Sequence, residues 1–389
     1  MNNGAFHHFV LRYFANHLSR PLKELYGSTA ILTFATSAVT IFEPIYLFRV
    51  GVTLPGIFLF YLVVYVGYLL ALPLGAKVAR MRGYEQAILF SSPFLILYYL
   101  ALAVIPVRHE FLFVAIAAFI IQKILYWPAY HADFARYGMQ KERGRQITTM
   151  GLLLTVAGLA GPVLGGVVIS LWGFRTLFLI VAVLVLVSNI PMLVTPEPFT
   201  PVAFSYRDAW RRLLRFDFRK RALGNLGTVE DLTAMVGWPL FIFTIIPAFI
   251  ILGAIVSGAS LLTALLLLIV GRLTDTHDRK KILRIGVVFT ALSWLTRPLL
   301  ANPVGVFVSD FWYRIARSFV GIPVAATVYD RAKEGSVMDT VVSYEMALAF
   351  GKAVGSVIGL VLVLALGSAF WIPFFIISAA ATVLYAFLI

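Results

Sequence analysis

The chain has 389 residues, 61% hydrophobic and only 13% charged, with a mean hydropathy of +0.92. Water-soluble domains of this length do not have that composition, so an integral membrane protein is expected. There is no cysteine, which excludes disulfides and thiolate metal sites. The formal net charge of +14 comes from Lys and Arg scattered over short loops, a topology signal and a match to anionic headgroups, not a nucleic-acid docking face.

Residues 1–26 lack the compact apolar core of a signal peptide and are expected to form an amphipathic, basic segment at the membrane interface. A helix needs roughly 20 apolar residues to cross the hydrocarbon. Twelve such runs follow, near 27–49, 54–79, 85–106, 111–133, 147–171, 174–195, 222–246, 248–273, 281–301, 304–328, 340–366 and 369–389. The connections are short except for 196–221, a basic linker expected on the membrane surface. It separates two six-span halves, residues 27–195 and 222–389. The expected fold class is an all-α membrane protein with twelve transmembrane helices in two pseudo-symmetric bundles.

Of the 32 Lys and Arg, 24 fall on one side, whereas Arg49, Arg108, Arg175 and Arg297 lie towards the other. The positive-inside rule then places both termini in the cytoplasm of a multi-pass cell-membrane protein. The halves read as copies. Pro44 and Pro239, Gly75 and Gly271, Pro128 and Pro323, and Gly161 and Gly355 recur at offsets of 194 to 196 residues. Pro and Gly have special backbone roles in membrane helices, and repeated halves are the sequence sign of a transporter whose bundles rock about a central site.

The stretch "GRLTDTHDRKK", residues 271–281, resembles the loop motif that major facilitator superfamily transporters carry between the second and third helices of each half. Gly271, Leu273, Asp275, Arg279, Lys280 and Lys281 match, with Asp278 where a glycine is expected. The first-half copy keeps Gly75, Arg80, Arg82 and Gly83 but has Ala79 in place of the acid, so any charge-based latch should be one-sided. Asp275 is expected to meet Arg143 or Arg145 at the entry to the fifth span, or a helix dipole there. In that span "AGLAGPVLGG" is similar to the antiporter signature at Gly161, Pro162, Gly165 and Gly166. The glycine spacing lets backbones approach closely, and Pro162 allows a bend. Gly351, Gly355 and Gly359 repeat the device, so the fifth and eleventh spans are expected to pack on each other.

Charges inside the hydrocarbon cost about 3 kcal/mol each on insertion scales and face the bundle interior or a wet cavity. Nine are found: Glu43, Lys123, Glu230, Asp231, Asp310, Arg314, Arg317, Glu345 and Lys352. They lie on spans one, four, seven, ten and eleven, and the resemblance implies that the first four of these line a central cavity. Asp310, Arg314 and Arg317 share one stripe, with Asp310 paired to Arg314; Glu345 and Lys352 share another face and are expected to pair. Glu43, Glu230 and Asp231 are the candidate proton carriers. Tyr126, Trp127, Tyr130 and Tyr313 offer aromatic cavity walls.

Enzyme readings find no support: zinc-protease and phosphate-loop motifs are missing, and His131 with Asp133 is too small a set for a metal. The expectation is a secondary transporter working by alternating access, a proton-coupled antiporter exporting a small organic or amphipathic compound. The alternatives are a proton-coupled importer of a polar or anionic metabolite and a non-transporting lipid-binding scaffold. Expected partners are the small-molecule substrate, protons and the bilayer, with no cofactor, metal or nucleic acid, and the chain is expected to act as a monomer.

Overall fold

A computed structural model describes residues 19–137, 143–213, 223–334 and 336–388, and among these every regular element is helical. Nine of the described stretches are long and apolar enough to cross a membrane, which makes this a multi-pass membrane protein. Two of them, Thr149–Leu193 and Val337–Phe387, run to 45 and 51 residues. At 1.5 Å per residue they would extend about 68 and 76 Å, more than twice the ~30 Å hydrocarbon layer. Each is broken by a glycine in the left-handed region, Gly173 at φ 79° and Gly367 at φ 55°, where a side chain would be strained. Helix Pro303–Glu334 stands outside the nine because Asp310, Arg314 and Arg317 interrupt its apolar run.

Proline punctuates the first half. Helix α1 (Arg20–Thr40) begins seven residues before the first expected span. It ends where Pro44 cannot continue the hydrogen-bond ladder, and α2 (Glu43–Arg49) restarts with Glu43 in its first turn. Then come α3 (Leu54–Arg82), α4 (Tyr84–Val104) and α5 (Phe111–Tyr137). The bend expected at Pro162 is a break: α6 (Arg143–Leu159) stops and α7 (Gly161–Ser188) starts with the proline in its first turn.

The linker is not merely laid on a surface. The Glu197 carboxylate accepts from the backbone N–H groups of Tyr84 and Glu85, both at 3.0 Å, capping α4, and meets Arg136 at 3.3 Å. Its short helix α8 (Tyr206–Leu213) carries Arg212, which pairs with Asp339 of the second half.

In the second half α9 (Val229–Leu232) passes through a π turn, Thr233–Gly237, into α10 (Trp238–Ile245). Pro239 has no N–H, and the Trp238 N–H reaches back five residues to the Thr233 carbonyl. Helices α11 (Phe249–Thr276), α12 (Arg279–Thr296), α13 (Pro303–Glu334), α14 (Val337–Leu366) and α15 (Trp371–Val383) complete it. Asp278, the departure from the glycine of the loop motif, caps α12 by accepting from the Lys280 N–H at 2.9 Å.

The halves meet along two seams, α3 on α14 and α6–α7 on α11. The glycine spans therefore do not pack on each other. Gly161 and Gly165 lie against Ser37 and Ala38 of α1, while a Cβ on Gly166 would stand 2.4 Å from the Phe249 carbonyl oxygen of α11. Gly351 and Gly355 face residues 225–232 and Gly359 faces Phe58. Each glycine helix is thus shared between its own half's first helix and the opposite half, which is where close backbone approach is needed.

Candidate substrate cavity and its charged walls

A cavity of about 400 Å³ opens between the halves. From the first half it is lined by Thr33, Thr36, Ser37 and Thr40 of α1 and by Leu154 and Thr155 of α6; from the second by Met235, Trp238, Asp310, Tyr313 and Arg314. A second cavity of about 290 Å³ holds Glu43, Tyr61, Lys123, Tyr126, Trp127 and Tyr130. Both share Thr33, Thr36, Thr40, Leu154 and Met235, so they adjoin across one face of α1.

The expected Asp310–Arg314 pair is present: the Arg314 Nε donates to Oδ2 at 2.6 Å. The other carboxylate oxygen accepts from the Trp238 indole at 3.2 Å. Behind it sits Arg297, 3.8 Å away through Nη2. Arg297, near the end of the expected span 281–301, is fully buried, with Trp238, Trp294 and Tyr313 rings 3.9, 4.0 and 4.3 Å from its guanidinium carbon.

Arg317 does not join the Asp310 group. Three residues after Arg314, it turns to α9, with Nε 2.7 Å from Glu230 Oε1 and Nη2 donating to Asp231 at 2.9 Å and to the Tyr385 hydroxyl at 3.1 Å. Tyr313 and Trp294 donate to Glu230 Oε2 at 2.8 and 3.0 Å. Glu230 is fully enclosed, so this acid is wired to its neighbours and reaches the cavity only through Tyr313.

In the second cavity Tyr61 donates to Glu43 at 2.7 Å. The Lys123 ammonium lies 4.2 Å from the Phe119 ring centre and 5.6 Å from that of Tyr65. Lys352, from the other half, approaches the same Tyr65 ring at 5.5 Å.

The fold has a counterpart in a solved structure. The human organic anion transporter MFSD10 (TETRAN) matches with a TM-score of 0.71 at 15% identity, over 95% of this chain and 98% of that one. The chain has the major facilitator fold. It is also 27% identical, over 197 residues, to a "Multi-drug resistance efflux pump PmrA homolog" of Lactococcus lactis subsp. lactis (strain IL1403). That match takes in 48% of this chain and spans about half the relative's length, 49%. No family model matches the chain.

Within this major facilitator fold, the end that carries most of the Lys and Arg is closed by a bond network across the halves. His131 Nε2 stands 3.1 Å from Glu345 Oε1, Tyr68 donates to Glu345 Oε2 at 2.8 Å, and His131 Nδ1 is 2.6 Å from the Tyr329 hydroxyl. Glu345 is therefore paired across the seam and not with Lys352, whose ammonium faces Met235 and Tyr65. Of the loop motif, Gly271 is buried and Arg279 pairs with Asp330 at 2.9 Å. The side chains of Asp275, Arg143 and Arg145 lie outside the described residues, as does the latch expected among them.

Several residues of the site escaped sequence reasoning although signals were there. Thr29, Thr33, Thr36 and Thr40 recur at steps of four, three and four, a hydroxyl stripe on α1 that borders the second cavity. Trp294 precedes Arg297 by one helical turn, a spacing that brings ring and guanidinium together. Glu197 and Tyr68 carry no local signal, since their partners are more than 60 residues away.

Proposed function

We propose that the chain is a secondary transporter, a twelve-helix protein with both termini at its basic, cytoplasmic end in the cell membrane. The count follows when each double-length stretch turns at its glycine and the charged helix α13 also crosses. Transport runs by alternating access as a proton-coupled antiport that exports a small organic or amphipathic compound. The observation that carries the reading is the cavity lined by both halves and bordered by buried ionic groups, since rocking about the two seams would open it to one side at a time. The efflux-pump relative supports export. Glu43 and the Glu230–Asp231 pair are the carriers of coupling, each hydrogen-bonded to groups that line a cavity: Tyr61 for Glu43, Tyr313 for Glu230.

Arg314 and Lys123 favour a second reading, import of an anionic metabolite, because both present cations to cavities. Proteoliposomes with an imposed pH gradient separate the two. Gradient-driven extrusion of fluorescent amphipathic dyes supports the first and accumulation of labelled anions the second. No gradient-driven movement in either direction overturns both.

A further inference from the structure

Arg297 has no part in the proposed transport cycle, and it is an unusual residue to find buried. None of its three guanidinium nitrogens has a hydrogen-bond partner, and it is fully enclosed between Trp238, Trp294 and Tyr313. Burying a charge in that way is costly unless a counter-charge is close, and among the described residues the carboxylate within 4 Å is that of Asp310. Asp310 thus stands between two guanidiniums. Arg297 faces it from the packed side, Arg314 from the cavity side, where the Arg314 side chain is 33% exposed.

Of the two cations that face Asp310, Arg314 is the one that lines the cavity. Asp310 and Arg314 are the only charged residues lining that cavity among the described ones. The opposite wall offers no charge. The hydroxyls of Thr36, Ser37, Thr40 and Thr155 donate to carbonyls of their own helices at 2.7 to 2.9 Å, so towards the cavity they have acceptor lone pairs left and no free proton. That wall suits the hydroxyl or N–H end of a ligand whose other end is anionic.

We infer that this cavity takes a small organic monoanion, with Arg314 as the anchor of its anionic group. Arg297 is a positioning residue: it neutralises Asp310 from behind, so that Arg314 is free to turn from Asp310 to the ligand. Planar guanidinium is suited to both tasks, stacking between rings in one case and holding a carboxylate with two parallel bonds in the other. The inference rests on the transport reading for the ligand's fate, but not for its binding.

The test uses the full chain, which has no native cysteine. Thr155→Cys places a reporter in this cavity and not in the adjoining one, to be modified by an anionic and by a cationic methanethiosulfonate reagent. Relative to free cysteine, the anionic reagent is expected to be favoured about tenfold, the effect of roughly one unscreened charge at this range. Arg314→Gln should abolish the preference. Arg297→Gln should abolish it too, because Asp310 then holds Arg314. Asp310→Asn in the Arg297→Gln background should restore it, and Arg297→Lys should keep it. A merely structural Arg297 would not be rescued by removing Asp310's charge, and if Arg297→Gln does not fold, the lysine and double variants still decide.

In parallel, 4-hydroxybenzoate should raise the melting temperature while 4-hydroxybenzamide and 4-hydroxybenzylamine do not. A neutral or cation-favouring reporter, equal stabilisation by the three compounds, or stabilisation by none overturns the inference. Charge-selective binding without flux in proteoliposomes overturns the transport reading alone. Flux of cationic compounds, with no anion preference at residue 155, overturns this one alone.

Discussion

Replacing Glu345 by glutamine should open the basic end of the molecule. The carboxylate receives Tyr68 on one oxygen and faces His131 on the other, joining α3 and α5 of the first half to α14 of the second. A glutamine can keep one acceptor but turns an amide N–H₂ towards the other partner. A hydrogen bond to a charged group contributes about 1.5–3 kcal/mol against about 0.5–1.5 for a neutral pair, so losing one and weakening the other costs the closed state about 2 kcal/mol. That is roughly a 30-fold change in the equilibrium, enough to turn a twentyfold excess of the closed state into a slight deficit. Spin labels at Lys77→Cys and Lys280→Cys, both exposed at the basic end of opposite halves, report the separation. Double electron–electron resonance should show a new, longer distance population in the Glu345→Gln variant. His131→Phe, which also removes the bond to Tyr329, should shift it at least as far. Unchanged distance distributions in both variants would refute the argument and leave the network as packing alone.

Neutralising Glu43, Glu230 or Asp231 should identify the coupling acid: gradient-driven transport is lost in the variant concerned while substrate exchange persists, and full gradient-driven transport in all three single Gln or Asn variants counts against every one of them. Gly166→Ala would set a Cβ 2.4 Å from the Phe249 carbonyl oxygen, so the seam must part, with a loss of about 1–3 kcal/mol seen as a lower melting temperature in detergent. Glu197→Ala removes the cap of α4 and the partner of Arg136, a loss of about 1–2 kcal/mol. Limited proteolysis should then cut the linker faster; an unchanged rate would show that the linker is held by other contacts.

The membrane class and the helical content were legible in the sequence. Each of these rests on a local property. An apolar run long enough to cross lipid is helical wherever it packs, because lipid cannot satisfy a free backbone. The repeat offset is visible from Pro44 and Pro239 or Gly161 and Gly355 because prolines and glycines mark backbone breaks that copies share. The Asp310–Arg314 pair was legible for the same reason, being four residues apart on one helix.

Which charge faces which is set by the packing of the helices. Glu345 and Lys352 share a helical face, but seven residues are about 10 Å of rise, and Glu345 finds nearer partners across the seam in Tyr68 and His131. Arg314 and Arg317 sit on neighbouring stripes of α13, and a rotation of some 60° around the axis sends one to Asp310 and the other to α9. Arg297 reads as a residue near the far end of the span 281–301, where an arginine usually meets water. Three rings from α10, α12 and α13 close over it instead, and no local rule could foresee that, because burial is a property of the neighbours that arrive and not of the residue.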